Sequence, residues 1–318
     1  MIKNSEIKDL ASIFGIDAIG VTDAKRIEGN LNGFSSPSPQ KFLNNGRSVI
    51  VGLLNYYAED RPLRSLEGSI ARYTRSNYYH DIRVRLRSMV KVLKRGYKFH
   101  FRVFSNGPLA EKPLAVRAGL GYYGKHAIII NDKFGSWFVI GEIVTDLEIE
   151  PDKPTKGDCG DCRLCIDACP TDALNTPYRL DWKRCIQFLS NHRAIIPEDI
   201  RRAWGNRLYG CTTCQEVCPR NQNPKQNHPI PEYGYIGPGL PLCEILSLDE
   251  QDYRARYGRN QIGAKWVELA CLKRNAILAL ANLKAKDGLN HIRRFENDPD
   301  PMLAEHARWA IGEICRWV

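Results

Sequence analysis

Hydrophobic and polar positions follow two spacings in the first half of the chain, and these spacings separate predicted helices from predicted strands. Residues 78–95 place apolar side chains every three or four positions with arginines on the opposite side, which predicts an amphipathic helix. Residues 48–56 (SVIVGLLNY) form an unbroken apolar run, which predicts a strand buried on both faces. The other predicted elements are two helices and four strands: helices 1–17 and 112–118, and strands 18–22, 99–104, 127–131 and 137–145.

The pattern after residue 150 predicts two further domains. Residues 151–225 consist of Pro-, Asp- and Gly-rich turns with one predicted helix at 181–190. Residues 226–318 begin with a proline-rich segment and then return to helical spacing. These last helices match either a HEAT-like α-solenoid or an ordinary helical cap on the preceding domain. Together with a mixed α/β domain over residues 1–150, they predict an α+β protein of three domains.

Eight of the eleven cysteines lie between residues 159 and 218. The run C-x2-C-x2-C-x3-C-P has the spacing of a bacterial ferredoxin, in which the fourth cysteine ligates the other of two clusters. A triplet closed by Pro219 follows, and one cysteine stands between the two groups. The pattern predicts two [4Fe–4S] clusters, one bound by Cys159, Cys162, Cys165 and Cys218, and the other by Cys169, Cys185, Cys211 and Cys214. Zinc or disulfides are the alternative, but zinc uses two C-x2-C pairs and leaves the third cysteine of the run without a role.

Charge and cysteine usage narrow the class of protein. The net charge is +10, and residues 61–102 contain twelve Lys or Arg against two acids, Glu67 and Asp81. This cluster predicts a polyanionic partner such as RNA, the alternative being a solvated helix face. Eight thiols in ligand spacing indicate a reducing compartment. With no signal-peptide pattern and no apolar run near about 18 residues, we expect a cytoplasmic protein outside the membrane.

The motif GLGYYG at residues 119–124 has the G-x-G-x-x-G spacing of a dinucleotide-binding loop. That loop follows a strand and opens a helix, whereas this motif follows a predicted helix and opens a predicted strand. We therefore predict no NAD or FAD site here. We expect the glycines to let the backbone approach a large flat ligand closely.

Further short motifs occur in a fixed order, mostly between residues 45 and 220. They are Arg47–Ile50 (RSVI), Arg72-Tyr73 with Tyr79-His80, Glu111–Leu114 (EKPL), Arg117–Gly121 (RAGLG), Gly124–His126 (GKH), Gly135–Phe138 (GSWF) with Gly141-Glu142, both cysteine groups, Arg184–Ile186 (RCI) and Gly205–Cys211 (GNRLYGC). In this order they resemble the epoxyqueuosine reductase family, which is cobalamin-dependent and completes queuosine in tRNA. RCI, GNRLYGC and the full cysteine set are the specific part. The C-terminal helices are similar to that family's HEAT-like end.

The resemblance implies an oxidoreductase with two [4Fe–4S] clusters and base-off cobalamin as cofactors. A cluster would reduce the cobalamin to nucleophilic cob(I)alamin, which acts on the epoxide-bearing ring of the modified base, and the oxygen would leave as water. The implied cobalamin contacts are Ala71, Ser105, His126, Ile129, Ile140, Gln187, Thr212 and Thr213. The implied partners are tRNA, bound at its anticodon region, and an external electron donor of the flavodoxin or ferredoxin type. We expect a monomer.

The sequence departs from the family pattern at three positions. The Asp that donates the proton in the family falls at Ser105, whose hydroxyl is a far weaker acid. A family Asp before the Tyr-His pair is Tyr78, and a family Arg of the N-terminal loop falls at or near Ser36. The catalytic position implied by the resemblance is therefore Ser105, with His80, Tyr79 or a bound water as substitutes.

Two other functions stay open on the sequence alone. The departures at Ser105 and Tyr78 favour a cobalamin and iron–sulfur reductase of a small molecule, akin to reductive dehalogenases. A non-enzymatic corrinoid or electron-transfer protein would use the same cofactors without a substrate of its own. Tight, salt-sensitive tRNA binding counts against the first alternative, and a deep cleft at the corrin counts against the second.

Overall fold

The computed structural model describes residues 2–27, 36–222, 224, 226 and 228–316. Its helices are α1 Asn4–Ile13, α2 Tyr78–Gly96, α3 Glu111–Arg117, α4 Leu164–Asp167, α5 Ile186–Leu189, α6 Glu198–Ala203, α7 Thr213–Glu216, α8 Leu242–Ser247, α9 Glu250–Tyr257, α10 Leu269–Asn282, α11 Leu289–Arg293 and α12 Pro301–Cys315. Its strands are β1 Ala18–Asp23, β2 Ser48–Asn55, β3 Glu67–Ile70, β4 Phe101–Phe104, β5 Tyr122–Tyr123, β6 Ile129–Ile130, β7 Phe138–Thr145, β8 Arg207–Tyr209 and β9 Gly239–Pro241.

The N-terminal region is built on a four-stranded antiparallel sheet in the order β1-β2-β7-β4. Every residue of β2 and of β7 is buried, so the predicted burial of β2 on both faces is confirmed. Helices α1 and α2 cover one face, where Leu86 shares a core with Ile50. Helix α3 covers the other face, where Leu114 shares a core with Val51 and Ile140. The face under α3 is the one that leads to the functional site.

Helix α2 confirms the amphipathic pattern of residues 78–95. It begins after Asn77, whose side-chain oxygen accepts a hydrogen bond from the His80 amide at 3.0 Å. This N-cap satisfies one of the free amides at the start of the helix. The cap places the first turn, with Tyr79, against the wall of the main cavity.

Two short strands correct the predicted pattern of loops. Residues 61–68, for which the sequence pattern predicts neither helix nor strand, end in β3, and the proline-rich segment ends in β9. Strand β3 pairs in parallel with β8 and antiparallel with β9. This second sheet takes one strand from each of the three predicted domains. The domain boundaries themselves stay a prediction.

The glycines of GLGYYG approach protein backbone. A Cβ atom at Gly119, where φ is +72°, would lie 2.5 Å from the Lys153 carbonyl oxygen. A Cβ atom at Gly121 would lie 2.3 Å from the Ile130 carbonyl oxygen, across the β5–β6 pair. The motif therefore makes close chain packing possible, and it lies between α3 and β6, as the rejection of a dinucleotide site requires.

The predicted helix at 181–190 is shorter than expected. Only α5, Ile186–Leu189, is helical, and Cys185 precedes it with extended backbone at φ −72° and ψ 117°. The cysteine is thus presented from a turn. Arg184, next to it, ties this turn to the cluster region by donating from Nε to the Thr171 carbonyl at 2.6 Å.

The C-terminal region is helical, as predicted. Helix α10 packs in one core with α8 and α12, and this core continues into Leu208 of β8 and Ile70 of β3. The helices therefore pack on each other and also cover the second sheet, which leaves both predicted descriptions compatible with the fold. In the part of the chain that the structure describes, no helix combines the length and the apolar character that crossing a bilayer demands.

Candidate cofactor cavity

A cavity of about 400 Å³ lies where the three regions of the chain meet. Its walls include Tyr79 of α2 and Ile140 of β7, the cysteine loops around Cys185, and Gln261 and Trp266 from the C-terminal region. The volume lies within the range of about 300–1,000 Å³ that is typical of ligand pockets. The arrangement can therefore hold a ligand against the cysteine loops.

The eight predicted ligand cysteines lie in two neighbouring groups. Charge interactions join Cys165 and Cys218 to Cys159 and Cys162. They also join Cys214 to Cys211, Cys185 and Cys169. The spacing predicted these two groups of four, and the assignment of each ligand to its cluster stays a prediction. Cys214 also interacts with Cys165, so the two groups adjoin each other at this point.

Local structure presents the two groups in the same way. Cys165 lies in the single helical turn α4 and Cys214 in the single turn α7, and prolines follow Cys169 and Cys218. The carbonyl oxygen of Cys162, in the loop that precedes α4, accepts a hydrogen bond from the ammonium group of Lys125 at 2.9 Å. The spacing of the sequence thus becomes two compact cysteine turns.

Burial and mutual repulsion raise the pKa of the thiols. Burial is the larger cause at Cys165, where the charges of the neighbouring thiols add to it and the pKa rises to about 11. At Cys214 the same two causes raise the pKa well above its ordinary value. Thiolates this close need cations between them, so each group fits a cationic iron–sulfur cluster. All eleven cysteines are free thiols, which does not support the disulfide alternative.

A single metal ion is not what these side chains are arranged to hold. Within the described ranges, no group of three or more His, Cys, Asp or Glu side chains could hold one ion. The thiolates of a cubane each bind a different corner of one larger object, so they lie further apart. Four thiols spread in this way are compatible with a cubane.

The two groups differ in their position relative to the cavity. Its lining includes all four members of the second group, Cys169, Cys185, Cys211 and Cys214. No member of the first group is among the described residues that line it. Instead, Cys159 and Cys162 are partly exposed beside Leu164, whose exposure is 50%. The second group thus faces the cavity, whereas the first group lies away from it, with two members partly exposed and Cys165 and Cys218 buried.

The structure brings together five of the eight predicted cobalamin contacts. His126, Ile129, Ile140, Gln187 and Thr213 line the cavity. Ala71, Ser105 and Thr212 are not among the described lining residues. All three are buried behind the wall, and Ala71 lies next to Gly210, where a Cβ atom would lie 2.6 Å from the Ala71 Cβ.

His126, which lines the cavity, has a ring donor that no described residue uses. Its Nδ1 accepts the Ile128 amide at 3.2 Å, so the proton of the neutral ring sits on Nε2. This Nε2 is buried and has no hydrogen-bond partner among the described residues. Burial, together with the charge of Lys112, lowers the pKa of His126 to about 4, which keeps the ring neutral. An orphaned buried donor of this kind fits a bound polar ligand.

The positions that depart from the family pattern have structural roles here. Ser105 donates its hydroxyl hydrogen to the Ile140 carbonyl at 2.6 Å and is 5% exposed. Tyr78 is buried in the core under α2, and burial raises its pKa to about 12. Ser36 lies next to the loop that follows Ser105, with its hydroxyl 3.4 Å from the Pro108 carbonyl oxygen.

The two substitute donors differ in placement. Tyr79 lines the cavity, and burial raises its pKa well above the ordinary value. His80 instead stacks on Tyr233 with ring centroids 4.1 Å apart, and burial lowers its pKa. His80 is not among the described lining residues, so only Tyr79 is at the cavity.

Sequence reasoning missed a pair of carboxyl groups at the site. Glu111 and Lys112, at the start of α3, both line the cavity. Glu142 lies nearby on β7, fully buried, and neither of its carboxylate oxygens has a hydrogen-bond partner among the described residues. All three residues belong to the quoted family motifs, but a motif match did not assign them a role. Their burial could not be deduced from spacing.

The basic segment 61–102 is divided between internal and surface roles. Arg61 pairs with Glu67 at 2.8 Å, and Arg85 pairs with Asp81 at 3.0 Å. Arg72 and Arg75 both pair with the carboxylate of Asp60, the residue just before this segment. The exposed cations of the segment that have no ion-pair partner in the described structure include Arg87, Lys91, Arg95 and Lys98. Arg64 and Arg102 are also exposed without such a partner, so the exposed cations of the segment lie mostly, not entirely, on α2 and just after it.

One exposed aromatic side chain lines the cavity, and a second stacks on His80, the residue after Tyr79. Trp266 lines the cavity and is 61% exposed. Tyr233, stacked on His80, is 43% exposed, and the Arg259 guanidinium lies 5.9 Å from its ring centre. Exposed rings next to arginines are the groups that stack on unpaired nucleobases.

Two family models match this chain, one over the cysteine groups and one over part of the N-terminal region. The family model described as "4Fe-4S double cluster binding domain" matches residues 158–221. The family model described as "Epoxyqueuosine reductase QueG, DUF1730" matches residues 37–106. The epoxyqueuosine reductase of Bacillus subtilis is 32% identical over 342 residues, which cover 97% of this chain and 87% of that protein.

Solved structures agree with this similarity. A crystal structure of epoxyqueuosine reductase with an epoxyqueuosine-modified tRNA-Tyr stem loop has a TM-score of 0.87 to this chain at 29% identity, covering 98% of this chain and 89% of that one. The epoxyqueuosine reductase of Streptococcus thermophilus has a TM-score of 0.88 at 26% identity, covering 99% and 91%. The similarity thus extends over the whole architecture.

Proposed function

This chain belongs to the epoxyqueuosine reductase family, and on that premise we propose that it reduces epoxyqueuosine to queuosine in tRNA. The observation that carries the proposal is the opening of one cysteine group onto the cavity. Cys169, Cys185, Cys211 and Cys214 all line it, whereas Cys159 and Cys162 lie near the outer surface. Electrons from an external donor can thus enter at the first cluster and leave from the second directly into the ligand site.

The cofactor proposed for the cavity is cobalamin. Supporting observations are the buried unpartnered Nε2 of His126, the apolar wall of Ile129 and Ile140, and the amide of Gln187 beside Cys211. When bound, cobalamin supplies a strongly reducing, nucleophilic metal centre. The chain's own task is to hold it between the sheet and the cysteine loops, and to keep the reacting atoms away from bulk water.

The proposed substrate side is the outer rim with Trp266 and Tyr233. Stacking on exposed rings can hold a nucleobase that has left its loop, and the cations of α2 can neutralise phosphates. Tyr79 at the cavity, Arg83 and Arg87 follow at four-residue intervals on α2, so they lie along one side of that helix. This track leads from the cavity to the exposed basic side. We propose that the anticodon stem loop of tRNA lies along it.

The remaining partners are also proposals. The partly exposed first cysteine group with Leu164 suits a small one-electron donor of the flavodoxin or ferredoxin type. Free thiols throughout suit a reducing compartment such as the cytoplasm, and we propose that the chain acts as a monomer.

The test is turnover by the fully loaded protein. Protein reconstituted anaerobically with iron, sulfide and cob(II)alamin is given a chemical reductant and tRNA that contains epoxyqueuosine. The tRNA is then digested to nucleosides, whose masses are measured by mass spectrometry. We expect loss of one oxygen from the modified base, and no loss when cobalamin is left out. Failure of protein with verified iron and cobalamin content to convert the tRNA would refute the proposal.

The free epoxyqueuosine nucleoside serves as a second substrate in the same assay. Equal conversion of nucleoside and tRNA would favour a small-molecule reductase. Faster conversion of tRNA, with a rate that falls as salt rises, is expected if the basic face of α2 meets phosphates.

A further inference from the structure

We infer that Glu111 is the acid that protonates the epoxide oxygen in this chain, with the Glu142 carboxyl behind it as a second proton source. The inference rests on the proposed function. Ser105 stands where the family has its proton-donating Asp, so this chain needs another acid.

The loop that carries Ser105 also presents Glu111. The Gly107 amide donates to Glu111 Oε1 at 3.3 Å, so the carboxyl group is held by the 105–110 loop. Glu111 lines the cavity and is partly exposed into it. Ser105 is 5% exposed, and its hydroxyl hydrogen is committed to the Ile140 carbonyl. Of these two residues, Glu111 is therefore the one that can meet a ligand.

No described residue hydrogen-bonds the Glu142 carboxyl group and so offsets the charge that it would carry when ionised. Glu142 lies on the face of β7 that α3 covers, the face of Ile140 and Leu114. It is 0% exposed, and both carboxyl oxygens lack a hydrogen-bond partner in the described ranges. An isolated carboxylate in such a place is too costly, so the group is neutral and keeps a proton. Its charge interaction with Glu111 places the two carboxyls within electrostatic reach.

Three titratable groups interact with Glu111: Lys112 of α3, Tyr79 of α2 and Glu142 of β7. His126, which interacts with Lys112, lines the same cavity. Burial is the dominant influence and raises the pKa of Glu111 to about 7, although two loop amides and the Lys112 charge lower it. Tyr79 and His126 stay neutral at this pH, the first because burial raises its pKa and the second because burial lowers its pKa. Glu111 therefore holds a proton below about pH 7 and can release it there.

The proton count of the reaction matches two carboxyl groups. Removal of an epoxide oxygen as water breaks two C–O bonds, forms one C=C bond and consumes two electrons and two protons. The external one-electron donor supplies the electrons through the clusters. Glu111 gives the first proton to the oxygen. Glu142 then passes its own proton to Glu111, which donates it to the oxygen in the second transfer. Both carboxyl groups regain protons from solvent after the product leaves.

The first experiment measures single-turnover rates with tRNA between about pH 5 and 9, after iron and cobalamin contents are matched. For the unaltered protein we expect the rate to fall as pH rises through about 7, because the acid must be protonated. Glu111→Gln should lower the rate by about 10²–10⁴-fold and remove this fall. Glu111→Asp should keep part of the rate and the fall. Glu148→Gln, at the exposed Arg47 ion pair, is the matched control and should change neither.

The second experiment needs no turnover. Infrared difference spectra of the cobalamin-free protein follow protonated carboxyl groups as pH rises. We expect one band that disappears near pH 7 and is absent in Glu111→Gln, and one that persists and is absent in Glu142→Gln.

The outcomes separate the two claims. If the loaded unaltered protein does not convert the tRNA, the proposed function fails and the role of Glu111 fails with it. If it converts the tRNA and Glu111→Gln does so with the same rate and pH profile, only the role of Glu111 is overturned. A large loss in Ser105→Ala alone would likewise return the acid to Ser105.

Discussion

The side-chain amide of Gln187 donates a hydrogen bond of 2.6 Å to the Tyr73 hydroxyl. Its oxygen accepts the Cys211 amide at 3.3 Å. One side chain thus ties the turn after Cys185 to the N-terminal region and to the second cysteine turn. The cavity wall depends on this connection.

Replacement of Gln187 by leucine should loosen that wall. Gln187→Leu leaves the Cys211 amide and the Tyr73 hydroxyl without this partner, and an unsatisfied buried polar group costs about 1–3 kcal/mol. Anaerobic denaturant unfolding should show a loss of that size. Gln187→Glu keeps an acceptor for the amide and should lose less. Equal stabilities of the leucine variant and the unaltered protein would contradict the prediction.

The cluster held by Cys185 can be removed separately. Cys185→Ala should lower the iron content from about eight to about four per chain, because one of two cubanes loses a ligand. Cys243, which lies outside both groups, provides the matched control, and Cys243→Ala should retain about eight. Iron analysis and electron paramagnetic resonance of the reduced protein measure both variants. Retention of about eight irons in Cys185→Ala would show that another residue ligates the second cluster.

The exposed cations of α2 should determine the salt dependence of tRNA binding. Each cation that neutralises a phosphate contributes about one to the slope of log affinity against log salt. Arg87→Gln with Lys91→Gln should therefore lower this slope by about two. Arg47→Gln, at the far end of β2 from the cavity, removes a charge without that effect. A slope that changes equally in both variants would show that only net charge matters.

Trp266 should contribute to affinity for the stem loop and not to cofactor binding. Stacking of one base on an aromatic ring is worth about 1–3 kcal/mol. Trp266→Ala should therefore weaken stem-loop binding by about 5–150-fold, measured by fluorescence anisotropy of labelled RNA. Leu164→Ala, near the first cysteine group, is the control for an exposed apolar residue. Unchanged RNA affinity in Trp266→Ala would remove this residue from the proposed interface.

His306 should make the fold sensitive to acid. Its Nδ1 donates to the Met302 carbonyl, and its Nε2 accepts the Ile196 amide at 3.1 Å, so a second ring proton would face a donor. Burial lowers the pKa of His306 to about 3. Below about pH 6.5 the unfolded chain binds a proton that the folded chain does not. Stability should therefore fall by about 1.4 kcal/mol per pH unit from that point down towards pH 3.

Denaturant unfolding at several pH values checks this dependence. His306→Gln, which can keep both hydrogen bonds in a neutral form, should remove most of the slope. His100→Gln, an exposed histidine beside Asp146, serves as control. A slope that persists in His306→Gln would place the acid-sensitive group elsewhere.

Much of the cofactor chemistry followed from spacing alone. The intervals between the cysteines predicted two clusters, because the ligands of a compact cluster come from tight turns encoded over a few residues. The double-cluster domain is confirmed, and the assignment of each cysteine to one cluster stays a prediction. The apolar run of β2 predicted its double burial in the same local way. The predicted membership of the family is also confirmed, since its signal lies in short motifs.

Contacts between distant residues could not be predicted in this way. Periodicity does not report that β3, β8 and β9 share a sheet, since their partners lie far apart in sequence. The family resemblance assigned Ser105 to the site, although Glu111 is among the described residues that line the cavity and Ser105 is not. Nor could the charge pattern separate Arg72 and Arg75, which pair with Asp60, from the exposed cations of α2.

The sequence by itself predicted which thiols bind iron and in what grouping, because ligand spacing is a local property of the chain. Only the tertiary structure decided which group faces the ligand, which carboxyl groups are buried and which cations stay in solvent. Those properties depend on the neighbours that folding brings into contact, since burial and pairing set the charge state of each side chain.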